Sequence, residues 1–119
     1  MARFSRALLL TRPGDTESLE AAWSLLESPF SGPLRDAANL LRGNVLALAG
    51  HGAEALRFYE AVINASDSTS GMRLRAHFNA YRTLQDQGQV DASEAQLGRA
   101  QTINPAATTL AVAVMDRQT

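Results

Sequence analysis

The sequence predicts an all-α fold in which about six or seven helices form antiparallel pairs that stack on one another. Two stretches support this prediction, because Leu41–Val62 and His77–Ala100 each read as a helix, a glycine turn and a second helix. The offset between their turn glycines, Gly50 and Gly88, is 38 (88 − 50). That offset superposes Leu46 on Leu84, Ala55 on Ser93, Tyr59 on Leu97 and Val62 on Ala100. Such repetition, with no β-hairpin signal elsewhere, is typical of stacked helical units.

Length and composition predict one compact domain that spans residues 1–119. Apolar residues make up 45% of the chain, which is enough to build a core. The net charge of −1 lacks the basic surplus of a nucleic-acid-binding domain, so we expect no nucleic-acid partner. All 11 basic residues are arginine, whose planar fork pairs well with carboxylates, although a GC-rich genome gives the same bias.

Neither cysteine chemistry nor a membrane segment is expected. The chain has no cysteine, which fits a reducing compartment and predicts a cytoplasmic protein. No apolar run approaches the ~18 residues that a membrane helix needs. Arg3 and Arg6 resemble the start of a signal peptide, but the apolar run Ala7–Leu10 is shorter than the ~7–15 residues such a peptide requires.

Residues 1–28 are predicted to form a degenerate first repeat of two helices, Ala2–Thr11 and Thr16–Glu27. A proline and Gly14 separate them, since neither continues a helix. Asp15, or the residue after it, is the expected N-cap of the second helix. The offset from Gly14 to the first of the two turn glycines is 36 (50 − 14), which gives this segment the same layout.

Residues 34–65 are predicted to form the second repeat. The proline- and glycine-rich break Ser28–Pro33 precedes it. Its helices are expected over Leu34–Ala49 and Ala53–Asn64. Gly43 inside the first helix lowers helix stability by about 1 kcal/mol relative to alanine. Because a glycine kept mid-helix usually allows another backbone to come close, we expect the antiparallel partner helix to pack closely there.

Residues 72–104 are predicted to form the third repeat, after the polar loop Asn64–Gly71. Helices are expected over Met72–Gln87 and Asp91–Thr102, with Asp91 as the N-cap of the second. The loop is long enough to absorb the repeat offset of 38 (88 − 50).

Residues 105–117 are predicted to form a capping helix, over Ala106–Asp116. Leu110 and Val114 share one side of this helix with Ala107. Three β-branched residues weaken its helix propensity, and a strand is the alternative. A helix is favoured because an open helical stack needs a lid over its last unit.

The residues superposed by the offset between Gly50 and Gly88 resemble the tetratricopeptide repeat family. That family places small residues where two helices touch and bulky residues between them. The pattern is carried by Gly43, Ala55, Tyr59 and Val62 in one unit and by Ala80, Leu84, Ser93, Leu97, Ala100 and Pro105 in the next. The resemblance implies a short right-handed α-solenoid. Three features depart from the family. Asn39 and His77 replace the frequent aromatic of the first helix, Tyr81 stands where a small residue is usual, and the spacing exceeds about 34 residues.

The same resemblance implies a non-catalytic adaptor, whose first helices line a concave groove for a peptide segment or helix of another protein. The groove residues would be Asn44, Arg75, Phe78, Asn79, Arg82 and Gln85. The asparagines would bond the ligand backbone and the phenylalanine would be an apolar anchor. The two arginines lie seven apart on one helical face, which suits an acidic partner.

One known use of such a groove is not implied. The family's carboxylate clamp has asparagines at the places of Asn44 and Asn79, and basic residues at those of Leu40, Thr109 and Ala113. None of the last three is basic here. We therefore expect a partner other than a chain-terminal carboxylate.

No catalytic, metal-binding or cofactor-binding pattern is found in the sequence, so we expect no enzyme. His51 and His77 lack further ligands at metal-binding spacing. The alternative function is a structural or assembly role, in which the open ends of the solenoid pair with another copy. The apolar face of Leu110, Val112 and Val114 would carry that contact.

Overall fold

The computed structural model describes residues 2–32 and 34–117, without the side chain of Asp116. The regular secondary structure of these residues is all helical, which confirms the predicted fold class. The seven described helices are α1 (Ala2–Leu10), α2 (Thr16–Leu26), α3 (Leu34–Leu48), α4 (Gly52–Ile63), α5 (Ser70–Asp86), α6 (Val90–Ile103) and α7 (Pro105–Arg117). The largest difference from a predicted helix end is at the start of α5, Ser70 against Met72.

Each helix packs against the next one in the chain, and α3 also contacts α5. The pairs α3–α4 and α5–α6 are antiparallel, since side chains at similar distances from the intervening turn meet. The Tyr59 hydroxyl of α4 donates a hydrogen bond to Asn44 Oδ1 of α3 at 2.7 Å. Nδ1 of His77 in α5 lies 2.7 Å from Oε1 of Gln96 in α6.

The turns at Gly50 and Gly88 have the same geometry. Their φ angles are 87° and 76°, in the left-handed region that favours glycine. The amide after each glycine reaches back to a carbonyl near the end of the preceding helix, from His51 to Leu46 at 2.8 Å and from Gln89 to the corresponding carbonyl at 2.9 Å. This is the Schellman pattern that satisfies the last carbonyls of a helix. The helices on either side end and begin with the same offset as the glycines (86 − 48 = 38 and 90 − 52 = 38).

The third turn, at Gly14, differs. Its φ angle of 75° is similar, but the following amide, of Asp15, bonds the Arg12 carbonyl at 3.4 Å. Asp15 caps α2 as predicted, because its side chain accepts hydrogen bonds from the Ser18 amide at 3.1 Å and hydroxyl at 2.9 Å. These bonds lower the pKa of the Asp15 carboxyl. The first helix pair therefore has its own turn.

The prediction of Asp91 as the N-cap of α6 is wrong. Gln89 is the N-cap, and its side chain makes no capping bond. The Gly88 turn fixes the helix start, since the Gln89 amide closes α5 and the chain is free to become helical at Val90. Asp91 lies in the first turn of the helix, where the positive end of the macrodipole favours a carboxylate.

Two clusters of buried side chains form the core. One joins α3, α4 and α5 around Tyr59, which is 1% exposed, and the other joins α1, α2 and α3. Trp23 packs against both clusters and meets Phe58 edge to face, with ring centroids 5.9 Å apart. The half-buried Trp23 and Phe58 therefore belong to the packing between the first and second helix pairs.

Two arginines complete the C-terminal end of α2, where the last carbonyls lack helical partners. Nε of Arg42 donates to the Leu26 carbonyl at 2.8 Å, and its NH2 donates to the Ser28 carbonyl at 3.1 Å. NH1 of Arg3 bonds the same Ser28 oxygen at 3.0 Å, and its guanidinium lies 3.9 Å from the Phe30 ring centroid. Burial, with the nearby Arg3 charge, lowers the pKa of Arg42. These bonds fix α1 and α3 against the break after α2.

Residues 105–117 are helical, so the alternative of a strand is wrong. The hydroxyls of Thr108 and Thr109 bond carbonyls in the preceding turn, at 2.8 and 3.1 Å, so both are satisfied within the helix. Thr108 is fully buried against the rest of the fold, whereas Leu110 and Val114 are exposed. The helix packs on α6 and leaves an apolar outer side.

Candidate functional site

A groove with a volume of about 370 Å³ lies between α1, α3 and α5, the first helices of the three pairs. Its walls are largely apolar. The described residues that line it are Phe4, Leu8, Ala37, Leu40, Leu41, Asn44, Met72, Arg75, Phe78 and Asn79. The groove therefore lies on the side of the molecule where the sequence predicts a binding surface.

Four of the six predicted groove residues line this space: Asn44, Arg75, Phe78 and Asn79. Arg82 and Gln85 do not. They follow on the same helix, and seven residues correspond to about 10 Å along its axis, which puts Arg82 beyond the enclosed part. Gln85 is exposed and donates a hydrogen bond to the Tyr81 hydroxyl at 2.8 Å.

The two asparagines belong to one hydrogen-bond network. Asn44 Oδ1 accepts from the Tyr59 hydroxyl at 2.7 Å and from Asn79 Nδ2 at 3.2 Å. Burial raises the pKa of Tyr59 to about 12, although a hydrogen bond with Thr83 opposes the shift. The network joins α3, α4 and α5, and its bonds among the described residues use Asn44 Oδ1 and Asn79 Nδ2. The asparagines thus have a structural role, and their binding of a ligand stays a prediction.

The charge in the groove comes from one side chain. Among the described residues that line it, Arg75 alone is charged, and it is exposed. Phe78, which follows on the same face of α5, is half-buried beside it. An exposed cation next to a partly buried aromatic ring can meet an acidic and an apolar group of one ligand.

The wall formed by α1 was not predicted, although the sequence contains a signal for it. Phe4 takes the place of Leu40 and Phe78 when the two offsets are applied (78 − 38 = 40 and 40 − 36 = 4). Leu8 follows one turn later and is exposed. Applying the repeat register to α1 as well as α2 would have placed both residues in the groove.

A second and larger cleft, of about 570 Å³, lies between α2, the end of α3 and the start of α4. None of the described residues lines both the groove and this cleft. The described lining residues are Gly14, Thr16, Leu19, Glu20, Trp23, Ser24, Val45, Leu46, Leu48, Ala49, His51 and Glu54. No site was predicted here from the sequence.

Neither a metal site nor a membrane span finds support in the described residues. No group of three or more histidine, cysteine, aspartate or glutamate side chains there is arranged to hold a metal ion. His77 is buried and bonded to Gln96, as expected for a helix-packing position, and His51 is exposed in its turn. Within residues 2–32 and 34–117, no helix combines the length and apolar character that crossing a bilayer requires.

Comparison of the chain with protein-family models, with curated proteins and with solved structures finds no match. The resemblance to tetratricopeptide repeats therefore rests on the residue pattern alone.

Proposed function

We propose that this chain is a non-catalytic adaptor of the cytoplasm that binds a peptide segment or helix of another protein in the groove between α1, α3 and α5. The observation that carries the proposal is the groove itself. It is apolar along its walls, and it has one exposed cation, Arg75, beside a half-buried aromatic ring, Phe78.

The arrangement of the helices supports this proposal. The first helix of each pair contributes to one surface, and the second helices α2, α4 and α6 contribute none of the described residues that line the groove. This division is the one that the resemblance to tetratricopeptide repeats implies. The matching turns at Gly50 and Gly88 support the same interpretation, in which the pairs form a short right-handed α-solenoid.

The proposed recognition has three parts. Apolar side chains of the ligand lie on Phe4, Leu8 and Phe78, where burial contributes about 25 cal/mol per Å². An acidic side chain of the ligand pairs with Arg75. Asn44 Nδ2 remains available as a donor to a ligand carbonyl, because the internal network uses the oxygen of that side chain. A disordered ligand loses entropy on docking, so the affinity is expected to be about micromolar.

Isothermal titration with an acetylated dodecapeptide of alternating Glu and Leu tests the proposal, with a Gln–Leu analogue for comparison. Arg75→Glu replaces attraction by repulsion, so it should weaken binding of the acidic peptide about tenfold and leave the neutral analogue nearly unchanged. Arg57→Glu is the matched control, since Arg57 is exposed on α4 outside the groove. Equal affinity of the acidic peptide for wild type and Arg75→Glu would contradict the groove assignment.

The second candidate function is assembly through α7. Leu110 is 67% exposed and Val114 is 45% exposed, one turn apart on the outer side of that helix, while Val112 is half-buried. Self-association would cover this face. Sedimentation equilibrium should then show a dimer or larger species that Leu110→Ser/Val114→Ser removes and Val90→Ser, an exposed control on α6, does not. A monomer at high concentration rules this candidate out.

A further inference from the structure

The cleft beside α2 lies at a junction whose counterpart, between α4 and α5, holds a larger side chain. At the junction of α4 with α5, the side chain of Gln87 lies against Gly52. A Cβ built on Gly52 would be 3.0 Å from Gln87 Cδ and 3.3 Å from Thr83 Cγ2. The space between the start of α4 and the end of α5 is thus occupied.

The corresponding junction of α2 with α3 has no side chain like that of Gln87. The same offsets put Thr16 at the place of Gly52 (52 − 36), Ala49 at that of Gln87 (87 − 38) and Val45 at that of Thr83 (83 − 38). All three counterparts line the 570 Å³ cleft. A methyl group at position 49 replaces a glutamine side chain, so the space stays open.

The chemistry of the cleft is apolar inside and acidic at its edge. The half-buried Trp23 and Leu48, which is 40% exposed, supply apolar surface above the buried Leu19 and Val45. Glu20 and Glu54 are exposed lining residues, and neither forms an ion pair with an arginine in the part of the chain that the structure describes. The described lining contains no arginine.

We propose that this cleft is a second docking site, which takes an arginine or lysine side chain and an adjacent apolar side chain from a basic segment of a partner protein. Glu20, Glu54 and Trp23 all line the cleft, so a cation held there can interact with carboxylates and with an indole, which attracts cations through its ring quadrupole. The neighbouring apolar side chain replaces water on Trp23 and Leu48. The volume is within the range of about 300–1,000 Å³ that is usual for ligand sites.

The cleft carries acidic side chains, whereas the charged residue of the groove is an arginine. The two surfaces share no lining residue, so each can be altered without the other. The chain would then hold an acidic and a basic segment on different sides.

Trp23 is the one tryptophan of the chain, so its fluorescence reports directly on the cleft. The probes are the acetylated, amidated peptide Ala-Leu-Arg-Leu-Ala and its analogue with Glu in place of Arg. The arginine peptide should change the emission in a saturable way at low salt, and the glutamate analogue should bind at least about tenfold more weakly. Equal responses to the two peptides would overturn the proposal.

Two variants locate the response. Ala49→Gln restores the side chain found at the equivalent position 87, and it should abolish the response while the melting temperature is kept. Glu20→Gln/Glu54→Gln should weaken binding about tenfold and flatten its salt dependence, whereas Glu94→Gln, an exposed control on α6, should have no effect. Should Ala49→Gln fail to fold, the carboxylate variant alone decides, and unchanged affinity there overturns the proposal.

Two controls separate this proposal from others. Arg75→Glu should leave the Trp23 response intact, because Arg75 is outside the cleft. If the wild type instead self-associates and Ala49→Gln is a monomer in sedimentation equilibrium, the occupant is a second copy of the chain and the proposal is overturned.

Discussion

Gly43 determines how closely α3 and α4 approach. A Cβ at this position would lie 2.8 Å from Cζ and 2.9 Å from Cδ1 of Tyr59, a ring that is 1% exposed and has no room to move. The offset of 38 (88 − 50) puts Tyr81 of α5 at the place of Gly43 and Leu97 of α6 at that of Tyr59, so the large and small residues are reversed there. The close approach expected at this glycine is therefore made by an aromatic ring.

Gly43→Ala should reduce the free energy of unfolding by about 1–2 kcal/mol, because overpacking costs about 1–3 kcal/mol and the gain in helix propensity recovers at most about 1 kcal/mol. Urea denaturation measures the change. Gly98→Ala is the matched control, since that helical glycine has open space around it and alanine should there be neutral or stabilising. A Gly43→Ala variant as stable as the control would show that the contact is not restrictive.

Tyr59 should ionise well above an ordinary tyrosine. Its pKa is raised to about 12, from the ordinary value of 10.0, because burial disfavours the phenolate. The raised pKa favours the neutral form in the folded state, so this stabilisation is complete below about pH 10 and is lost as the pH rises towards 12. An absorbance titration should show a late step that Tyr59→Phe removes. A single step near the ordinary pKa for both tyrosines, with the helical circular dichroism intact, would be inconsistent with this burial.

At the scale of the helices, the glycine turns explain why the sequence predicts the helix ends well. Gly50 and Gly88 end α3 and α5 through the same backbone bonds, so a single offset relates four helix ends to one another. The preference of certain residue types for the N-cap predicts a helix start less well where the preceding turn determines it. Asp91 has the residue type of a cap, but the preceding turn makes the helix begin one position earlier.

The two turns should respond equally to the same substitution. Gly50→Ala and Gly88→Ala each place a Cβ in the left-handed region, which costs about 1–2 kcal/mol. Thermal unfolding of the two variants should therefore show similar losses, within about 0.5 kcal/mol of each other, while Gly98→Ala shows none. If one turn tolerates alanine and the other does not, the units are not equivalent.

For the whole molecule, the sequence predicted more of the groove than of the cleft. Four groove residues were identified because a repeat register places whole helix faces on one side. The hydrogen bonds that Tyr59 and Asn79 donate to one oxygen of Asn44 were not predicted, since they join three helices that lie far apart in the chain. The cleft was missed because it depends on a difference between two junctions, Ala49 against Gln87, rather than on a repeated feature.

The most direct test of the proposed docking surface is to map amide chemical shifts while the acidic Glu–Leu dodecapeptide is added. We expect saturable shifts that cluster on α1, α3 and α5, with Phe4, Asn44, Phe78 and Asn79 among the most affected. Shifts confined to the outer sides of α4, α6 or α7, or no saturable shifts at all, would contradict it.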